Sequence, residues 1–160
     1  MTYTLVSHGR ALGRTGVELP PPAPGTRSWH FLPAAAFADA RALFAALPAA
    51  IEDSQDAIPT QGELEMIPER EREERVRAMM QADPRMQRFV ELSGQLEAME
   101  LRLLDDAGRA LETAAIGVTE LEIGADDFRD VLTTVEPAVD LSTVADPPFY
   151  LLVAGLPCAR

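Results

Sequence analysis

The chain opens with alternating residues, a pattern typical of a β-strand. Residues 3–8 (YTLVSH) alternate between two faces and are rich in β-branched and aromatic side chains. The dipeptide His8–Gly9 lies where a two-residue hairpin turn belongs, because glycine adopts a positive φ without steric cost. The sequence therefore predicts a hairpin whose second strand runs from Arg10 to Leu19, followed by a proline-rich loop.

A further strand and a helix follow the loop. Residues 26–32 (TRSWHFL) place Trp29 and Phe31 on one face of a short strand, and we expect Trp29 to lie in the core. The alanine-rich run after Pro33 has apolar residues at helical spacing. We expect this helix to end at Pro48 and residues 48–68 to be mostly loop, with a single helical turn at most.

The middle of the chain carries a charged helical segment, residues 68–95. Glutamates precede arginines by four residues in PEREREERVRAMMQ (68–81), which supports an exposed helix. Asp83 followed by Pro84 is the signature of a helix N-terminus and predicts a second helix. We expect that helix to stop near Ser93–Gly94.

The last third of the chain is less regular. Residues 96–116 fit either a hairpin or a continued helix, and three glycines in this part of the chain favour the hairpin. GADDFRDVL (124–132) predicts a short helix capped by Asp126. The apolar run PFYLLVAGLP (148–157) predicts a strand buried on both faces, hence one inside the sheet.

These elements define an α+β fold. We predict one antiparallel sheet built from N- and C-terminal strands, with two or three helices from the middle of the chain packed on one face. Residues 1–160 are predicted to form a single domain, in which segment 68–95 lies between the two strand regions.

The composition excludes several chemistries. All 14 basic residues are arginine, so a Schiff base, a pyridoxal-phosphate linkage and a P-loop lysine are excluded for want of a primary amine. The motifs GxSxG, HExxH, CxxC and GxGxxG are absent as well. The single cysteine, Cys158, can form no internal disulfide and has no basic neighbour other than Arg160. We therefore predict no catalytic residue, no cofactor and no resident metal.

The two histidines support only an alternative hypothesis. His8 is explained by a hairpin turn, and His30 lies on the predicted third strand. If they met with a carboxylate such as Glu18, they could form a two-histidine, one-carboxylate metal site. The alternative function is therefore a small enzyme or ligand-binding domain with a pocket near His8 and His30.

Negative charge is concentrated towards the C-terminal end. Residues 105–146 carry eleven acidic residues against two arginines, or −9 of the net charge of −12. A field of this sign repels nucleic acids and anionic membranes and favours a basic partner. The predicted partner-binding surface consists of Glu120, Glu122, Asp126, Asp127 and Asp130.

The leading hypothesis is a protein-interaction module, such as an accessory, chaperone-like, inhibitor or immunity-type protein, that presents this acidic surface. Five of the six methionines lie between Met66 and Met99, and thioether side chains suit adaptable binding surfaces, although they also fill gaps in cores. Self-assembly as a homodimer, through an edge strand or the 69–95 helices, is compatible with either hypothesis. The chain lacks the basic-then-apolar order of a signal peptide and has no membrane-length apolar run, so we expect a cytoplasmic protein.

Overall fold

The computed structural model of the chain describes residues 1–157, so Cys158 lies outside the described residues. They form two compact units: residues 1–44 together with 99–157, and residues 45–98. Within residues 1–157, no helix is both long and apolar enough to cross a membrane. A single domain over residues 1–160 stays a prediction.

The first unit is α+β, as predicted, and contains one six-stranded antiparallel sheet. The strands are β1 (Thr4–Ser7), β2 (Arg10–Leu19), β3 (Thr26–Pro33), β4 (Arg102–Leu104), β5 (Ala115–Leu121) and β6 (Phe149–Gly155). Their order in the sheet is β4-β1-β2-β3-β6-β5. The predicted N-terminal hairpin is confirmed, with His8 and Gly9 at φ 49° and 79° in its turn. The closing strand β6 lies inside the sheet between β3 and β5, also as predicted.

The sheet must curl, because its two edge strands are joined by a short connection. Leu104 of β4 forms a bridge to Ala110, and β5 begins only five residues later at Ala115. Five extended residues span at most about 18 Å. Six strands laid flat would separate the two edges by roughly 24 Å. The curl encloses the side chains of one face, including the fully buried Leu5, Leu103 and Leu152.

Both faces of the sheet are covered. On the enclosed face, Phe37 of the short 3-10 helix Ala35–Phe37 packs edge-on against Phe31 and Tyr150. On the other face, Phe128 stacks on Phe149. The prediction that helices pack on one face is therefore only partly confirmed. The reason is visible in β3, where four consecutive residues (28–31) are buried and both faces need cover.

Two predicted helix ends are wrong. Helix α1 (Ala38–Asp56) continues through Pro48, where alanines on both sides favour the helix despite the lost backbone donor. Helix α2 (Gln61–Glu65) is the one helical turn expected before residue 68. Helix α3 (Glu69–Ala82) follows the prediction, but α4 (Pro84–Ala98) passes Gly94 without interruption. A side chain at position 94 would meet only open space, so this glycine marks no special geometry.

Residues 96–116 form parts of both predicted alternatives. After α4, the short strand β4 leads into a tight turn in which the Asp105 carboxylate accepts hydrogen bonds from the backbone N–H groups of Ala107 and Arg109. The predicted hairpin is reduced to one isolated β-bridge, between Leu104 and Ala110. β4 pairs with β1, and β5 pairs with β6 at the opposite edge.

Candidate functional site

Helix α5 (Ala125–Val135) carries three of the predicted partner-binding residues and is anchored by its apolar face. Phe128 and Leu132 are buried one helical turn apart, and the Phe128 ring lies 4.1 Å from that of Phe149. The residue at the N-cap position of the helix is Gly124, and no side chain hydrogen-bonds to the backbone there. The prediction that Asp126 caps the helix is therefore wrong. Asp126 and Asp127 instead lie in the first turn, where the helix dipole favours negative charge.

The outward face of α5 combines acidic and apolar side chains. Asp126, Asp127 and Asp130 are all exposed, and the nearest opposite charge is Arg129, 3.7 Å from Asp126. Val131 and Val135, on the same helix, remain 42% and 37% exposed. Helical spacing places Asp127, Asp130, Val131 and Thr134 on one strip of surface. We call these four residues the α5 strip.

Glu120 and Glu122 are exposed, and Glu120 differs from the α5 acids in its surroundings. Glu120 lies on β5 opposite Tyr150, hence on the enclosed face of the sheet rather than the face that α5 covers. Its carboxylate accepts hydrogen bonds from the Arg41 guanidinium, the shortest at 3.0 Å. That pair raises the pKa of Arg41, and burial together with the Glu120 charge raises the pKa of Tyr150. The five predicted residues therefore do not share one surface, and Glu120 already has an intramolecular partner.

The two histidines have unrelated environments. His8 lies at the tip of the β1–β2 turn with its side chain 61% exposed, and its Nδ1 is 3.7 Å from a Glu100 carboxylate oxygen. His30 is 2% exposed, and its ring lies edge-on to Phe128 at 4.9 Å. Its Nε2 has no hydrogen-bond partner in the part of the chain that the structure describes. Burial lowers the pKa of His30 to about 4, so the ring is neutral near pH 7.

The histidines do not combine with Glu18 into a metal site. Glu18 forms a two-bond ion pair with Arg27, at 2.9 and 2.8 Å, and this contact lowers the pKa of its carboxyl group. Within the described part of the chain, no group of three histidine, cysteine or acidic side chains could hold a metal ion.

The second unit contains a cavity of about 380 Å³ between α3 and α4. The residues that line it are Arg77, Met80, Gln81, Met86, Gln87 and Val90. α3 has no buried residue and α4 has only Leu92, and none of the chain's methionines is fully buried. The methionines of segment 68–95 therefore lie at or near the surface instead of filling a core.

The comparisons with known proteins add no family: no protein-family model, curated protein or solved structure matches the chain.

Sequence reasoning located the acidic residues of α5 but missed the valines beside them. The sequence did contain a signal for these exposed valines. The 11-residue helix has four large apolar residues, which is more than one buried face requires: Phe128, Val131, Leu132 and Val135. The Arg41–Glu120 pair had no such signal, since 79 residues separate its members.

Proposed function

We propose that the protein is a protein-interaction module whose α5 strip binds a basic segment of a partner protein. The observation that carries the proposal is the mixed character of this exposed surface: Asp127 and Asp130 beside the half-exposed Val131. Protein interfaces commonly combine an apolar centre with a polar rim. On the α5 strip, Val131 supplies the apolar contact and the two aspartates supply the charge.

Asp130 supports a binding role more directly than the other two aspartates. Asp126 and Asp127 are stabilised by the helix dipole, so their presence has a structural explanation. Asp130 lies beyond the first turn and is three and four residues from these like charges, an arrangement that destabilises a helix. A basic partner would relieve this repulsion, and the surrounding net charge would speed its approach.

The test is capture of partners on two immobilised variants with the same change in charge. The first, D126N/D127N/D130N, neutralises the α5 aspartates. The control, E74Q/E91Q/E97Q, neutralises three exposed glutamates of α3 and α4 that have no ion pair among the described residues. Circular dichroism establishes that both variants fold.

We expect the wild type and the control to capture the same basic protein at low salt, and the α5 variant to lose it. Raising the salt should weaken capture, because exposed charges are screened beyond about 10 Å. Equal capture by both variants, or capture unaffected by salt, would contradict the proposal. Concentration-dependent mass of the free protein, measured in parallel, separates partner binding from homodimer formation.

A further inference from the structure

A second cavity of about 380 Å³ lies on the first unit, on the face of the sheet that α5 also covers, and Arg14 lines it. Arg14 of β2 lies opposite Thr4 of β1 and Leu32 of β3, so these three side chains form a row across three strands. The other lining residues are Ala11, Gly13, Pro33, Ala34 and Thr143. The volume is in the range of small-molecule sites, which begins near 300 Å³.

Arg14 is unusual among the arginines of this unit because its charge has no counter-ion within residues 1–157. Most of the arginines in residues 1–44 and 99–157 form an ion pair: Arg10 with Asp39, Arg27 with Glu18, Arg41 with Glu120, Arg109 with Asp105 and Arg129 with Asp126. Within the described residues, only Arg14 and Arg102 of this unit make no side-chain hydrogen bond or ion pair.

The two unpaired arginines share one face of the sheet. Leu104 of β4 lies opposite Thr4, which continues the row that contains Arg14. Arg102 is two residues from Leu104 on the same strand, hence on the same face. Strand spacing places the Cα atoms of Arg14 and Arg102 roughly 12 Å apart. Two arginines without an ion pair among the described residues therefore lie close together on a protein whose net charge is −12.

The remaining groups of the cavity suit an apolar ligand body. Leu32, Pro33 and Ala34 provide a hydrocarbon wall beside Arg14. The Thr4 hydroxyl has no hydrogen-bond partner among the described residues and can donate, whereas the Thr143 hydroxyl already donates to the backbone oxygen of Asp140 at 2.7 Å. One guanidinium and one free hydroxyl match the two oxygens of a carboxylate.

We propose that this cavity binds a small carboxylate with an apolar body, with the carboxylate on Arg14 and the hydrocarbon part against Leu32 and Pro33. This proposal does not depend on the proposed protein partner of the α5 strip. A phosphate group, with more charge and more acceptor oxygens, would leave acceptors unmatched at a single arginine.

The experiment is an NMR titration of the ¹⁵N-labelled full chain with hexanoate, 1-hexanol and inorganic phosphate, each up to millimolar concentration. The backbone amides of Thr4, Arg14 and Leu32 report binding at the cavity. We expect saturable shifts with hexanoate, and at least about tenfold weaker binding of hexanol and phosphate.

Three variants locate the charge that binds. R14Q should weaken hexanoate binding about tenfold or more, R102Q about two- to threefold through its longer-range field, and R75Q on α3 not at all. Unchanged amide shifts elsewhere in each spectrum establish that the variant folds. The proposal is overturned if hexanol binds as well as hexanoate, if phosphate binds more tightly, if R14Q retains wild-type affinity, or if no probe binds.

Discussion

A decrease in pH should destabilise this protein through one buried imidazole. His30 is 2% exposed and packs against Phe128, and no described polar group hydrogen-bonds to its Nε2. Burial disfavours the charged ring and lowers its pKa to about 4 in the folded protein. In the unfolded chain the ring regains water and its pKa returns to about 6.5.

The sign and size of the effect follow from these two values. Between pH 6.5 and 4 the unfolded chain binds a proton that the folded protein excludes, so stability falls as the pH falls. The free energy of unfolding should decrease by about 2 kcal/mol from pH 7 to pH 5 and by about 3 kcal/mol at pH 4. Carboxylates with lowered pKa values, such as Glu18 and Asp83, add their own losses only below about pH 4.5.

Urea unfolding of the wild type, H30L and H8Q at pH 7, 6 and 5 measures this dependence. H30L removes the titrating group and an unpaired buried nitrogen, so it should be as stable as the wild type at pH 7 and nearly independent of pH down to 5. H8Q removes the exposed histidine and should keep the wild-type slope. If H30L loses stability between pH 7 and 5 as steeply as the wild type, the burial argument is wrong.

Two packing predictions concern single residues of the first unit. A Cβ at Gly13 would overlap the Phe31 ring, because it would lie 2.7 Å from Cε2. G13A should therefore lower the free energy of unfolding in urea by about 3 kcal/mol or more. G94A places its Cβ in open space on α4 and should raise that free energy by about 0.5–1 kcal/mol. Equal effects of the two changes would refute the close approach of the strands. F128A should cost about 3–5 kcal/mol because Phe128 is 1% exposed, and V131A on the exposed side of the same helix should change stability by less than about 0.5 kcal/mol. A large loss in V131A would show that this valine is structural and not part of a binding surface.

Local signals in the sequence predicted local structure well. The His8–Gly9 turn depends on two residues that tolerate positive φ, and α3 depends on charge pairs four residues apart, so both could be inferred from short segments. Pro48 and Gly94 do not end their helices, because each is a helix breaker only in isolation. Their neighbours continue the helix through both positions.

The pairing of the two edge strands was beyond this kind of inference. Nothing near residues 102–121 indicates that β4 pairs with β1 while β5 pairs with β6, because the choice depends on how the whole sheet curls. The same limit applies to the sites. Acidic residues could be counted from the sequence. Which arginines form ion pairs depends on the folded structure, so the sequence could not indicate that Arg14 has no counter-ion among the described residues.

The proposed function depends on α5 being the surface that a partner covers. Hydrogen exchange of the free protein and of the protein bound to its captured partner tests this directly, because covered amides exchange more slowly. We predict slower exchange across the exposed turns of residues 125–135 on binding, with α3 and α4 unchanged. Protection confined to residues 69–98, with α5 exchanging as in the free protein, would contradict the account.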